Sequence, residues 1–322
     1  MAPLSTRLAL RLAGGAVAVA LIGAGLTGCA SSAGVGGCGT APSGVQSESV
    51  TAAAKFGVAP NVTYPLPLHT SETQVSTLIR GSGDGITSQQ DIVADLTILN
   101  GTTGAVVSKT GYGAVASAAT FTVGKVPLKG IAAALRCAQV GSRIAMVIPP
   151  KDGFTAATRP PTVKASDSLV VVADIRRAYL ARANGTNQVM AAGLPSVVLA
   201  PNGQPGITLP GGPPPKTLQV DDLKKGSGAV VHIGDTVIVH YTGVLWDTGD
   251  VFDSSWSTGS PAVLPLKSGS VIKGFLTALS GQRVGSQVLA VLPPSQAYGA
   301  TAQGSVPANA TLVFVVDVLG KQ

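Results

Sequence analysis

Apolar residues alternate with polar ones in several short runs of the chain, and the alternation is clearest in its last third. "DTVIVHYTGVL" (Asp235 to Leu245) places Val237, Val239 and Tyr241 on one face and Ile238 and His240 on the other, the period of a strand. "SQVLAVLPP" (Ser286 to Pro294) and "TLVFVVDVLG" (Thr311 to Gly320) are further β-rich runs, closed by proline or glycine. Between them, "VIKGFLTALSG" (Val271 to Gly281) changes to a helical period. Ile272, Phe275, Leu276 and Leu279 share one face there, and Gly281 supplies the stop. The pattern predicts an α+β fold, a twisted antiparallel sheet wrapped around one short helix.

The same signals occur twice. "QVSTLIRGSG" (Gln74 to Gly83) is answered by "QVDDLKKGSG" (Gln219 to Gly228), and "QVGSRIAMVIPP" (Gln139 to Pro150) by "RVGSQVLAVLPP" (Arg283 to Pro294). "SLVVVADI" (Ser168 to Ile175) is answered by "TLVFVVDV" (Thr311 to Val318). The spacing is about 145 residues each time, too long for a solenoid, and it marks a tandem domain duplication. Domains are expected over residues 50–178 and 194–322, joined by a linker over 179–193. "SVVLAPNGQPGITLP" (Ser196 to Pro210) reads as an extra strand pair around a turn.

The N-terminus has a different character. Arg7 and Arg11 precede an uncharged run from Leu12 to Gly28, shorter than the roughly 20 apolar residues of a spanning helix. Residues 1–28 are therefore read as a signal peptide. Its end, "LTGC" (Leu26 to Cys29), resembles the lipobox of bacterial lipoproteins. That resemblance implies acylation of Cys29, a lipid anchor in the bacterial cell membrane and an extracytoplasmic location. Residues 29–49 are small and polar and read as a flexible tether. Cys38 and Cys137 would then lie where disulfides persist. They either pair or stay free, and their spacing does not decide between the two. The sequence has no CxxC or His/Cys cluster, so no metal is expected. The net charge of +7 is thinly spread, its longest basic runs being Arg176-Arg177 and Lys224-Lys225, so nucleic acid is not an expected partner.

Around Tyr241, aromatic residues and one acid occur without a Ser-His, Cys-His or paired-carboxylate arrangement. "VHYTG", "VFDSS", "VIKGF", "VGSQVLAVLPPSQAYGA" and "VPANATLVFVVDVL" stand in the order and spacing of the FKBP-type peptidyl-prolyl isomerases, which the chain resembles from Leu218 to Leu319. The resemblance implies two FKBP-like domains, the first degenerate, and an isomerase that assists the folding of exported proteins without a cofactor. Proline-containing unfolded or nascent polypeptides would be its substrates, and macrolide immunosuppressants would be candidate ligands.

By the same resemblance, Tyr241, Phe252 and Phe314 would wall a pocket, Phe275 would floor it, and Asp253 would be its acid. Val271 and Ile272 would form the rim, the N–H of Ile272 and the hydroxyl of Tyr298 would orient substrate carbonyls, and Val306 would touch the substrate from a neighbouring loop. The usual floor tryptophan is Phe275 here, the arginine partner of the acid falls on Thr258, and a wall phenylalanine falls on Ala262. His69, His232 and His240 are expected at the surface.

In the first copy, Asp95 stands for Tyr241, Val106-Val107 for Phe252-Asp253, Ile131 for Phe275, Phe154 for Tyr298 and Val171 for Phe314. This copy is expected to be a catalytically silent interaction module, the alternative being a smaller pocket that handles proline poorly. The alternative for the whole chain is a non-catalytic chaperone or scaffold that binds unfolded or partner polypeptides.

Overall fold

The computed structural model describes residues 41–113 and 118–322. The signal peptide, Cys29 and Cys38 lie outside the described residues. The first half carries α1 (Val45–Glu48), β1 (Thr51–Ala53), β2 (Asn61–Thr63), β3 (Gln74–Ile79), β4 (Asp91–Asn100), β5 (Val106–Lys109), β6 (Ala119–Thr122), α2 (Lys129–Leu135), β7 (Arg143–Ile148) and β8 (Leu169–Ala178). The second carries β9 (Thr186–Asn187), β10 (Ser196–Leu199), β11 (Pro205–Thr208), β12 (Gln219–Lys225), β13 (Thr236–Leu245), β14 (Val251–Ser254), α3 (Ser255–Thr258), β15 (Ala262–Pro265), α4 (Lys273–Leu279), β16 (Gln287–Leu292) and β17 (Leu312–Lys321).

Two antiparallel sheets repeat one topology. The first runs β3-β7-β8-β4-β5 with β6 on β4; the second runs β12-β16-β17-β13-β14 with β15 on β13 and β9 added beyond β12. One face of each sheet packs on its helix, burying Ile131 and Leu135 of α2 in one core and Phe275 and Leu279 of α4 in the other. The opposite face is covered by a hairpin. Ala52 and Val62 of β1–β2 pack on Val147, Val170 and Val172, while Val197 and Ile207 of β10–β11 pack on Val291, Val313 and Val315. Covering on both faces explains why β8 from Leu169 to Ile175 and β17 from Leu312 to Leu319 are apolar but for one acid each, rather than alternating. The pair expected at Ser196–Pro210 is β10–β11, and β1–β2 is its unforeseen counterpart.

Three expectations change. Residues 41–49 are not a free tether: α1 lies against β3, where Ser47 N–H donates to Gln74 Oε1 and Val75 N–H donates to the Pro42 carbonyl. This segment covers part of an edge strand. Residues 179–193 are not a free linker either. Tyr179 is buried with Val93, Ile238 and Leu319 between the two sheets, Ala183 N–H donates to Asp317 Oδ2 at 2.7 Å, and β9 pairs with β12. The helix α4 is shorter than its apolar pattern, starting at Lys273 behind an extended Ile272 and ending at Leu279.

Each half also ties the chain leading into it to a buried acid on its last long strand. In the second, Gln287 Nε2 donates to Asp317 Oδ1 at 2.7 Å, beside the Ala183 bond. In the first, the acid is Asp174, which accepts from Gly57 N–H, and its strand partner is the fully buried Arg143. The remaining Arg143 N–H groups donate to the carbonyls of Ala52, Ala54, Lys55 and Val58. Cys137 is disulfide-bonded.

Candidate functional site

A cavity of about 360 Å³ opens between α4 and the inner face of the second sheet. Tyr241 on β13, Phe252 and Asp253 on β14, and Phe314 on β17 line it. Val271, Ile272 and Phe275 enter from the start of α4, and Tyr298 from the loop after the turn Pro294–Gln296. Leu264 of β15 completes the wall and was not foreseen. The rings meet edge to face, the favoured geometry for aromatic pairs. Phe252 and Phe314 lie 5.5 Å apart at 89°, and Phe275 and Phe314 5.4 Å apart at 80°.

Gly243 makes this packing possible. It faces Phe314 across the β13–β17 ladder, and a Cβ on it would lie 2.6 Å from Phe252 Cζ and 2.9 Å from Phe314 Cε1. Tyr241 donates its hydroxyl to Asp253 Oδ2 at 2.5 Å. Burial, and then the bond to Asp253, push the Tyr241 hydroxyl well above its ordinary pKa, so it stays a neutral donor. The result is an apolar box with a carboxylate and a phenol at its mouth, and Tyr298 there is 37% exposed.

Several sequence-based placements need correction. Val306 is 4% exposed and packs in the same core as Phe275 and Phe314, so its side chain is spent on that core and does not line the cavity. As the departure from the family pattern implies, Thr258 gives Asp253 no cationic partner; its hydroxyl donates to the Ser255 carbonyl of its own helix at 2.8 Å. Ala262 packs on the core, and Leu264, two residues further along β15, lines the cavity. His69 and His232 are exposed, but His240 is buried, stacked on Trp256 with ring centroids 4.0 Å apart. Burial lowers its pKa to about 4, so the ring is neutral at ordinary pH.

The register of the first half also differs from the expected one. Both sheets carry a bulge at matching places, between Val93 and Ala94 and between Ile238 and Val239. Beyond it Leu96 pairs with Ala173 as Tyr241 pairs with Val316, so Leu96, not Asp95, stands in the place of Tyr241. Val107-Ser108, not Val106-Val107, stand in the place of Phe252-Asp253. A shift of one residue turns a side chain to the other face. Asp95 accordingly sits at the position of His240 and pairs with Arg176. Ile98 takes the place of Gly243, and Ile98, Val107, Phe121, Ile131, Phe154 and Val171 all pack into the first core.

A family model described as FKBP-type peptidyl-prolyl cis-trans isomerase matches residues 228–319, which contain every residue lining the cavity. An FK506-binding protein of Streptomyces anulatus is 38% identical over 118 residues, covering 36% of this chain and 95% of that protein. A probable FK506-binding protein of Corynebacterium glutamicum is 39% identical over 116 residues, covering 36% of this chain and 97% of that protein. The chain belongs to the FKBP-type peptidyl-prolyl cis-trans isomerases. The FKBP-type isomerase FkpA of Aeromonas hydrophila is also similar, 46% identical over 102 residues that cover 32% of this chain and 37% of FkpA. As a member of the FKBP family the chain is an isomerase, and the aromatic cavity with no nucleophile suits that chemistry. Rotation about an X-Pro amide breaks no covalent bond, so the enzyme needs only to bind the twisted amide better than either planar form.

Proposed function

We propose that the cavity of the second half is the active site, acting on X-Pro bonds of unfolded or newly exported polypeptides. The observation that carries this reading is the set of edge-to-face rings closed by the Tyr241–Asp253 couple. Amide resonance raises a barrier of about 18–20 kcal/mol. A twisted amide loses that resonance and its charge separation, so an apolar wall of Phe252, Phe275 and Phe314 suits it better than it suits the planar form. Hydrogen bonds from Tyr298 and from the N–H of Ile272 would fix the carbonyls on either side of the rotating bond. The relatives named for FK506 support a macrolide of that kind as a second ligand of this pocket.

The experiment is an isomerisation assay on the full chain with a proline tetrapeptide. Tyr298→Phe removes one uncharged hydrogen bond, about 1 kcal/mol, and is expected to cost roughly fivefold to tenfold in rate. Phe252→Ala removes a wall and is expected to cost more than Tyr298→Phe. Wild-type rates in both variants would refute the assignment of the site.

The first half is proposed as a silent module, which the core packing of Ile98 supports. The protein is further proposed to be extracytoplasmic and lipid-anchored through Cys29, a reading supported by the charged n-region and "LTGC". Acylation of Cys29 leaves Cys38 as the partner of the disulfide-bonded Cys137. Cys29→Ala is expected to release the protein from membranes or leave its precursor uncut, as fractionation and gel mobility would report. Identical behaviour of mutant and wild type would refute the anchor.

A further inference from the structure

The edge of the second sheet is interrupted at one place beside the cavity. β15 pairs with β13 from Thr236 to Val239 and β14 pairs from Thr242 to Val244, so His240 and Tyr241 fall between two partner strands. A backbone group in such a gap needs another partner. Buried Ser255, the first residue of α3, provides one: its Oγ accepts the Tyr241 N–H at 2.9 Å. The same Oγ is hydrogen-bonded to His240 Nδ1 at 2.9 Å, and Ser254 Oγ donates to the Tyr241 carbonyl at 3.2 Å. Stacking on Trp256 fixes the His240 ring, whose buried Nε2 has no partner among the described residues.

We propose that Ser255, oriented by His240, is a positioning residue of the isomerase that aims the Tyr241–Asp253 couple at the substrate. Tyr241 is held in two ways by one corner of the chain, through its hydroxyl at Asp253 and through its backbone at Ser254 and Ser255. With only one of these ties, the β14–α3 corner could pivot about Tyr241. With both, the direction of the phenol and the carboxylate is fixed. The inference rests on the active-site reading of that couple.

The first half carries the same tie. Thr110 Oγ1 accepts the Leu96 N–H at 3.0 Å and donates to Asp95 Oδ1 at 3.3 Å, with Leu96 and Asp95 at the registers of Tyr241 and His240. There it serves the sheet alone, since Leu96 has no hydroxyl to aim. It also shows that this corner accepts the extra methyl of threonine.

The test uses the full chain and measures kcat and KM separately on a proline tetrapeptide. Ser255→Ala is expected to lower kcat about tenfold with KM changed by less than about twofold, the signature of lost orientation. Ser255→Thr should restore kcat. The downfield NMR signal of the Tyr241 hydroxyl proton, assigned by its absence in Tyr241→Phe, should shift or broaden in Ser255→Ala and return in Ser255→Thr. His240→Phe keeps the stack and deletes Nδ1, so kcat should fall in it even if Ser255→Ala does not fold. An unchanged kcat in Ser255→Ala or His240→Phe, or a Ser255→Thr variant as impaired as Ser255→Ala, would overturn the proposal. Wild-type kcat in Tyr241→Phe would remove the reading of the couple, and this inference with it.

Discussion

Replacing Gly243 by isoleucine is expected to abolish catalysis while leaving the sheet folded. A Cβ at this position already lies 2.6 Å from Phe252 and 2.9 Å from Phe314, and the longer side chain would fill the space between the two rings. The first half carries the outcome of such a change, since Ile98 occupies this register beside Val171 and packs into the core. A wedge that moves the walls by about 1 Å is enough for a hundredfold loss by misplacement alone. Gly243→Ile should therefore lower kcat/KM by at least about 100-fold. Gly243→Ala should fall between it and wild type, with an overpacking cost of about 1–3 kcal/mol. Circular dichroism and the isomerisation assay on the full chain check both. A folded Gly243→Ile protein with wild-type activity would show that the substrate does not use this cavity.

The largest effect on stability is expected at Arg143. Its guanidinium is fully buried, bonds Asp174 through Nε and a terminal nitrogen, and holds the chain from Ala52 to Val58. Removing one member of a buried pair leaves an uncompensated charge and costs about 3–5 kcal/mol. Arg143→Ala and Asp174→Ala should each destabilise the first half by that amount. The second half makes a version without the cation, in which Gln287 bonds Asp317. Arg143→Gln should therefore cost less than Arg143→Ala. Urea unfolding of the full chain, followed through the transition of the first half, measures these differences. A loss below about 1 kcal/mol in Arg143→Ala would mean that water had replaced the pair's partners.

Much of the fold was legible because burial leaves a period. β13 puts Val237, Val239 and Tyr241 on the face toward α4, β16 and β17 are near-continuous apolar runs, and α4 shows its helical face. The pocket was legible through its aromatic residues, which stand out in a chain with only six phenylalanines and five tyrosines. Gly243 was missed because a glycine contributes no side chain to any pattern; its meaning appears only when two rings close over it. His240 was misplaced because its cover, Trp256, comes from the chain beyond the next strand. Leu96, the true counterpart of Tyr241, and Asp95 are neighbours on opposite faces of β4, so an offset of one residue exchanges their faces. The hairpin β1–β2 escaped notice because its strands are short and partly exposed, with small residues that give almost no apolar signal.

The proposed division of labour is one working pocket in the second half and a filled counterpart in the first. Backbone amide NMR shift mapping of the full chain, titrated with a proline tetrapeptide, tests it most directly. Shifts and exchange broadening are expected at Tyr241, Phe252, Ile272, Tyr298 and Phe314, with Leu96, Val107, Ile131, Phe154 and Val171 unmoved. Perturbation of the first-half set, or of both sets equally, would contradict it.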